Sequence, residues 1–66
     1  MLKFKRTASG YTAQLDNGNF VNIEPHCEEP RWIGCVYTAD YEELEHTYVT
    51  AKTKRELVAD FNHEYA

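Results

Sequence analysis

The stretch Gly10–Glu24 reads GYTAQLDNGNFVNIE, and the rest of the chain can be organised around it. Its centre, Asn17-Gly18, is the strongest short turn signal in the sequence, and apolar residues alternate with polar ones on both sides. This pattern is typical of a β-hairpin. A two-residue loop would place Leu15 opposite Phe20 and would divide the apolar side chains between the two faces of the hairpin.

A loop of three residues, 16–18, gives a different register, in which Leu15 pairs with Asn19. One face then carries Tyr11, Ala13, Leu15, Val21 and Ile23. The other face carries Thr12, Gln14, Phe20 and Asn22. Because a slip of one residue turns every side chain over, the gathering of apolar residues on one face selects this register. We therefore predict the three-residue loop, with Gly18 in the left-handed conformation that glycine adopts without strain.

Length and composition predict a single small α+β domain over residues 1–66. A chain of this length buries only about 60% of its unfolded surface, which leaves little interior for a deep pocket. Aromatic residues make up 14% of the chain, too many for a disordered protein. No apolar run approaches the roughly 20 residues of a membrane span, and no apolar segment follows the basic start. We expect a cytoplasmic protein that does not enter membranes.

The remaining strands are predicted from alternation and β-propensity. Residues 2–6 alternate between apolar and basic side chains, and 31–38 is the most β-prone run, with both faces largely apolar. Residues 46–51 read as a final strand. Between them, 39–45 is ambiguous: Asp40 fits the cap of a short helical turn, but we favour an acidic loop.

Thr53 to Tyr65 is the one predicted helix. Thr53 and Glu56 have the spacing of a capping box, and an apolar stripe follows at helical spacing. The stripe is Leu57, Val58, Phe61 and Tyr65. Together these elements predict an α+β fold, in which a mostly antiparallel sheet of three to five strands, an N-terminal meander, carries the C-terminal helix packed on one face. We expect that face to be the apolar face of the hairpin.

Residues that could carry chemistry give weak signals. Cys27 and Cys35 with His26 include zinc-ligand types, but the spacing is C-x₇-C and His26 adjoins Cys27, which makes chelation by both awkward. A Cys–His nucleophile would need an oxyanion site that no motif supplies. The paired glutamates, 28–29 and 42–43, read as exposed loops rather than acid–base pairs. We therefore predict no enzyme activity, no metal and no cofactor.

Phe20 is the one large apolar side chain on the polar face of the hairpin, and we predict that it anchors an interface. We expect Trp32 or Val36 to lie across from it. The leading hypothesis is a small non-enzymatic protein-interaction module, which binds a protein partner or a second copy of itself through the sheet face and the acidic loop. The candidate partner-binding residues are Phe20, Trp32, Asp40, Tyr41, Glu42, Glu43 and Glu45.

The charge distribution supports a rival hypothesis, a nucleic-acid-linked regulator. Seven of the eleven acidic residues lie between Glu24 and Glu45, with Arg31 as the only base there. That stretch could mimic a phosphate backbone and inhibit a DNA-binding protein. Alternatively, basic residues near the start of the helix could bind phosphates directly. The candidate anion-binding residues are Lys3, Lys5, Arg6, Lys52, Lys54 and Arg55. The net charge of −4 argues against a general nucleic-acid binder.

Overall fold

The computed structural model describes residues 1–65, which form five strands and one helix. The strands are β1 (Lys5–Arg6), β2 (Tyr11–Gln14), β3 (Phe20–Pro25), β4 (Trp32–Tyr37) and β5 (Glu43–Ala51), and the helix is α1 (Lys54–Tyr65). The strands follow one another across a single sheet in the order β1-β2-β3-β4-β5, and every neighbouring pair is antiparallel. The predicted α+β meander with one C-terminal helix is confirmed.

The β2–β3 hairpin has the predicted register. Ala13 pairs with Val21, and the Leu15 N–H donates to the carbonyl of Asn19 at 2.8 Å, which leaves a loop of three residues. Gly18 has a φ of 92°, as the turn requires. The register is set by burial, because Val21 is completely buried on the face that the hairpin turns inward.

The core lies between that face and α1. Helix residues Leu57 and Phe61 are fully buried and pack with Val21, Ile23 and Val36. Burial of this kind contributes about 1.5–3 kcal/mol for each large apolar side chain. The helix begins as predicted, since the Thr53 hydroxyl accepts a hydrogen bond from the Glu56 N–H at 3.2 Å.

At Gly34 in β4 the helix approaches the sheet closely. A Cβ atom there would lie 2.6 Å from Cγ2 of Ile23 and 2.7 Å from Cε2 of Phe61. The absence of a side chain therefore lets the Phe61 ring rest directly on the strand.

The N-terminal segment, residues 1–4, runs alongside the helix. Leu2 and Phe4 pack against the core, and the Leu2 N–H donates to Oδ1 of Asn62 at 2.6 Å. The regular strand in this region is shorter than the alternation of residues 2–6 indicates, since only Lys5–Arg6 pair with β2.

The final strand is longer than predicted, because β5 begins at Glu43 rather than at His46. The β4–β5 ladder is irregular: Gly34 pairs with Val49, whereas Val36 pairs with Leu44. The Thr47 hydroxyl accepts a hydrogen bond from the Val36 N–H at 2.8 Å and donates to the Leu44 carbonyl. A threonine side chain therefore satisfies backbone groups within the bulge, and the strand continues through it to the acidic segment.

Candidate functional site

The candidate site is the face of the sheet that points away from α1, called the open face below. Strand register places Gln14 opposite Phe20, Phe20 opposite Tyr37, and Tyr37 opposite Glu43. Side chains of paired residues point to the same side of a sheet, so these four form one row across β2–β5. Within residues 1–65 there is one helix, and it packs on the other face.

Three aromatic rings meet at the centre of this row, and we call them the aromatic cluster: Phe20, Tyr37 and Tyr41. The ring centroids of Phe20 and Tyr37 are 5.4 Å apart with an interplanar angle of 8°, which is a stacked pair. Tyr41 meets Phe20 edge-on, with centroids 5.4 Å apart and an interplanar angle of 67°. Such pairs each contribute about 0.5–1.5 kcal/mol beyond the area that they bury. The rings therefore hold one another in place on the open face.

Tyr41 is presented by a tight turn. The Tyr41 N–H donates to the Thr38 carbonyl, and the Thr38 N–H donates to the Glu42 carbonyl, both at 2.9 Å. Tyr41 has a φ of 67°, the only positive φ among the non-glycine residues that the structure describes, and its side chain is 78% exposed. A non-glycine residue in this conformation costs about 1–2 kcal/mol. The turn thus holds an aromatic ring in solvent at some conformational cost.

Trp32 does not share this surface, and its predicted position across from Phe20 is wrong. Trp32 pairs with Pro25, and its ring centroid lies 6.2 Å from that of Tyr11, a residue of the helix-facing side. Val36 is also on that side, where it is buried. The residue opposite Phe20 is Tyr37. Gly34 must face the helix, where it contacts Phe61, and alternation along β4 then places Tyr37 on the open face.

Glu43 closes the row at the β5 end. Its Oε1 accepts a hydrogen bond from the Tyr37 hydroxyl at 2.9 Å, and its Oε2 accepts one from the Tyr48 hydroxyl at 2.7 Å. These bonds, the Tyr48 bond first, lower the pKa of Glu43. The pKa of Tyr48 is raised mainly by the same hydrogen bond, and that of Tyr37 is raised by burial and then by its bond to Glu43. At neutral pH this is an ionised carboxylate held by two neutral phenols.

Tyr37 and Tyr48 are residues of this site that the sequence did not predict. For Tyr37 a signal was available, because this residue lies near the end of the β-prone run 31–38, and alternation places it on the same face of the strand as Cys35 and on the opposite face from Gly34. The other predicted acidic residues, Asp40, Glu42 and Glu45, are exposed in the β4–β5 turn and in β5. Asp40 and Glu42 are the chain neighbours of Tyr41, so the turn that presents this ring is acidic.

A broad groove of about 1070 Å³ extends over the open face from the aromatic cluster to the N-terminal segment. Lys3 and Lys5 line its β1 side. Its floor is made of small polar side chains from β2 and β3. These are Thr12, Gln14 and Asn22. The groove thus combines apolar rings with hydrogen-bonding groups.

The predicted anion-binding residues are divided between two sides of the molecule. Lys5 pairs with Thr12 on the open face, whereas Arg6 pairs with Tyr11 on the helix side. The Lys54 ammonium lies 3.7 Å from the centroid of the Tyr11 ring, a cation–π contact. Lys54 and Arg55 line a separate shallow groove beside Leu2 and Phe4, and Lys52 is exposed after β5. Lys3 and Lys5 therefore line the same groove as the aromatic cluster, whereas Lys54 and Arg55 line a different one.

The two cysteines are free thiols, Cys27 exposed and Cys35 buried. Both line a groove of about 260 Å³ together with His26, beside the Glu43 carboxylate. Burial raises the pKa of Cys35, so this thiol is protonated at neutral pH. Among residues 1–65 no group of three or more His, Cys, Asp or Glu side chains is arranged to hold a metal ion.

No helix in the described part of the chain has both the length and the apolar character needed to cross a bilayer. Comparisons with family models, with curated proteins and with solved structures find no match to this sequence.

Proposed function

We propose that this chain is a small protein-interaction module that docks a partner protein on its open sheet face, with the aromatic cluster as the anchor. The observation that carries the proposal is Tyr41. Its backbone is held in a left-handed conformation, and most of its ring is exposed to solvent. Unfavourable backbone conformations of this kind cluster at binding sites, where the surrounding structure maintains them.

The intramolecular contact of Tyr41 is too small to explain the arrangement by itself. The edge-on contact with Phe20 contributes about 0.5–1.5 kcal/mol, which is no more than the cost of the left-handed backbone. A glycine would avoid that cost, and it occupies the corresponding position of the β2–β3 loop as Gly18. The ring of Tyr41 therefore contributes little to folding, and its exposed area is available to a partner.

The surroundings of the aromatic cluster fit an interface. Binding energy in protein interfaces concentrates in a few aromatic residues surrounded by polar groups that exclude water. Here the rings lie between the small polar side chains of β2 and β3 on one side and the Glu43 carboxylate on the other. Because the rings already stack on one another, little conformational entropy is lost when a partner covers them.

Affinity capture with matched variants tests the proposal. The full chain, Phe20→Asp and Tyr41→Gly are compared as bait, with His63→Asp as the control, since it introduces the same charge on the exposed side of the helix. We expect the wild-type chain and His63→Asp to retain the same partner, and both open-face variants to lose it by at least about tenfold, the loss typical of a hot-spot residue. Retention of that partner by Phe20→Asp would show that the open face is not the binding surface.

A second candidate function is binding of single-stranded nucleic acid. The observation that favours it is that Lys3 and Lys5 line the same groove as the aromatic cluster, since aromatic rings stack on bases while lysines contact phosphates. The net charge of −4 opposes it. Titration with a labelled oligonucleotide at low and high salt separates the two candidates, because phosphate contacts make affinity fall steeply with salt.

A further inference from the structure

We propose that the partner on the open face is a second copy of this chain, which packs face to face across a two-fold axis parallel to the strands. This inference rests on the proposed function, because it takes the open face as the docking surface. It adds the identity of the occupant and the relative orientation of the two copies.

The distribution of charge on the open face is the first argument. Lys3 and Lys5 line the groove along β1, one edge of the sheet. Glu43 lies on β5, the opposite edge, in the row that contains Phe20 and Tyr37. The face therefore carries lysines at one edge, aromatic rings in the middle and the Glu43 carboxylate at the other edge, while Asp16 in the β2–β3 loop and Glu24 on β3 add negative charge between the edges.

In a two-fold symmetric dimer the lysine edge of each copy can face the Glu43 edge of the other. A two-fold axis that runs along β3 between two facing sheets places β1 of one copy over β5 of the other, and does so twice. Lys5 of each copy then lies toward Glu43 of its partner, and the aromatic clusters meet at the centre. Facing sheets pack about 10 Å apart with their strands aligned to within about 30°, which leaves room for one layer of interdigitated rings from each copy.

A partner of uniform charge fits the face less well. An acidic protein would meet Glu43 and the acidic turn at one edge, and a basic one would meet Lys3 and Lys5 at the other. Like charges facing each other across an interface disfavour the complex. A surface with positive charge at one edge and negative charge at the other is complementary to a surface on which the two edges are exchanged. A second copy of the chain, rotated by the two-fold axis, presents such a surface.

The size of the face sets the expected strength. Five strands about 4.8 Å apart cover a width of about 20 Å, so the interface belongs with small, weak associations rather than with obligate dimers. We therefore expect dissociation constants in the micromolar to millimolar range, and the test must extend to high protein concentration.

Sedimentation equilibrium of charge-reversed variants tests the orientation as well as the dimer. We expect Lys5→Glu and Glu43→Lys each to weaken self-association by about tenfold, because two attractive contacts become repulsive in each homodimer. In an equimolar mixture the two variants form a heterodimer in which both contacts are attractive again, so the wild-type affinity returns. Lys52→Glu makes the same charge change away from the groove and is expected to leave self-association unchanged.

Circular dichroism checks that each variant is folded. Phe20→Asp supplies an independent test, since this variant is expected to be monomeric at every concentration. A wild-type chain that stays monomeric at millimolar concentration overturns the inference, and so does a mixture that associates no better than its components. If the chain is monomeric yet the affinity capture retains a partner that Phe20→Asp loses, the self-association is wrong and the proposed function stands. If the chain dimerises but Phe20→Asp does not weaken the dimer, the two copies do not meet on the open face and the inference is wrong, whereas the proposed function is still decided by the affinity capture.

Discussion

The loops of the β2–β3 and β4–β5 hairpins have the same pattern of backbone hydrogen bonds but different sequences. In the first, Leu15 and Asn19 are joined by a 2.8 Å hydrogen bond across three loop residues. In the second, Thr38 and Glu42 are joined in the same way at 2.9 Å. The third loop residue of each has a positive φ, and its N–H donates back to the carbonyl of the first loop-flanking residue.

The residue at that third position is what differs. Gly18 takes the left-handed conformation with a φ of 92° and no side chain to place, whereas Tyr41 takes it with a φ of 67° and an aromatic ring that contacts Phe20. In the first loop, glycine adopts the left-handed conformation that the loop requires. The second meets the same requirement with a less suitable residue, and its side chain ends on the open face.

The largest effect is expected when the tyrosine of the second loop is placed at the corresponding position of the first loop. Gly18→Tyr imposes the left-handed backbone on a tyrosine, and nothing lies within 4 Å of the place that its Cβ atom would occupy. We expect a loss of about 1–2 kcal/mol in the free energy of unfolding. In a domain of this size that lowers Tm by about 4–8 °C per kcal/mol, measured by thermal unfolding. An unchanged Tm would mean that the left-handed conformation is not costly in this fold, and the backbone of Tyr41 would then not indicate a binding surface.

The reverse substitution, Tyr41→Gly, is expected to have a smaller effect on stability. Relief of about 1–2 kcal/mol of backbone cost is offset by loss of the contact with Phe20 and by the greater freedom of glycine in the unfolded chain. We expect the free energy of unfolding to stay within about 1 kcal/mol of the wild-type value, measured by urea denaturation. A loss of 2 kcal/mol or more, about the full value of a buried side chain, would make Tyr41 a structural residue.

Side-chain hydrogen bonds within the loops provide a finer comparison. Oδ1 of Asn17 accepts from the Asn19 N–H at 3.0 Å, and Oγ1 of Thr38 accepts from the Glu42 N–H at 3.2 Å. We expect Asn17→Ala and Thr38→Ala each to cost about 0.5 kcal/mol, since these are exposed bonds at the weak end of the range. Urea denaturation of both variants measures this, and a loss in only one of them would show that the loops are not stabilised alike.

The smallest effect is a dependence on pH that belongs to the second hairpin alone. That hairpin is closed by Tyr37 and Glu43, whereas the first is closed by Gln14 and Phe20, which do not titrate. Hydrogen bonds lower the pKa of Glu43 in the folded state. Its contribution to stability is therefore present above the unfolded value of about 4.3 and is lost as the pH falls through the folded-state pKa.

Glu43→Gln is expected to remove the contribution that ionised Glu43 makes to stability. The difference in Tm between the variant and the wild-type chain should therefore shrink as the pH is lowered. The tyrosines give a second readout. The pKa of Tyr48 is raised mainly by its bond to Glu43, so Tyr48 should ionise at lower pH in Glu43→Gln, detected as phenolate absorbance. Identical alkaline titrations of the two proteins would show that the hydrogen bond is not formed in solution.

The two loops also show which parts of the structure the sequence predicts. The first loop contains Asn-Gly, and the distribution of apolar residues on its flanks excludes every register but one, so the hairpin was predicted correctly. The helix was equally clear, because Thr53 and Glu56 set its start and the apolar stripe its face. Both predictions depend on local chemistry combined with burial of one face.

The second loop has no such signal. Ala39, Asp40 and Tyr41 are unremarkable turn residues without glycine, so the start of β5 was placed three residues too late. The face of β4 was also ambiguous, since both of its sides are largely apolar, and Trp32 was assigned to the wrong one. Its true side follows from the position of Gly34 under the Phe61 ring, a contact between residues 27 positions apart that no local pattern records.

The hydrogen bond from the Leu2 N–H to Asn62 joins residues 60 positions apart, near the two ends of the chain. The β-hairpins of a meander close short loops, whereas this contact requires the helix to be docked on the sheet, so we expect residues 1–4 to become ordered late during folding. By the same reasoning we expect this segment to detach early when the native state fluctuates. Since this segment also provides one wall of the open-face groove, its detachment would widen the groove and at the same time uncover the part of the core against which Leu2 and Phe4 pack.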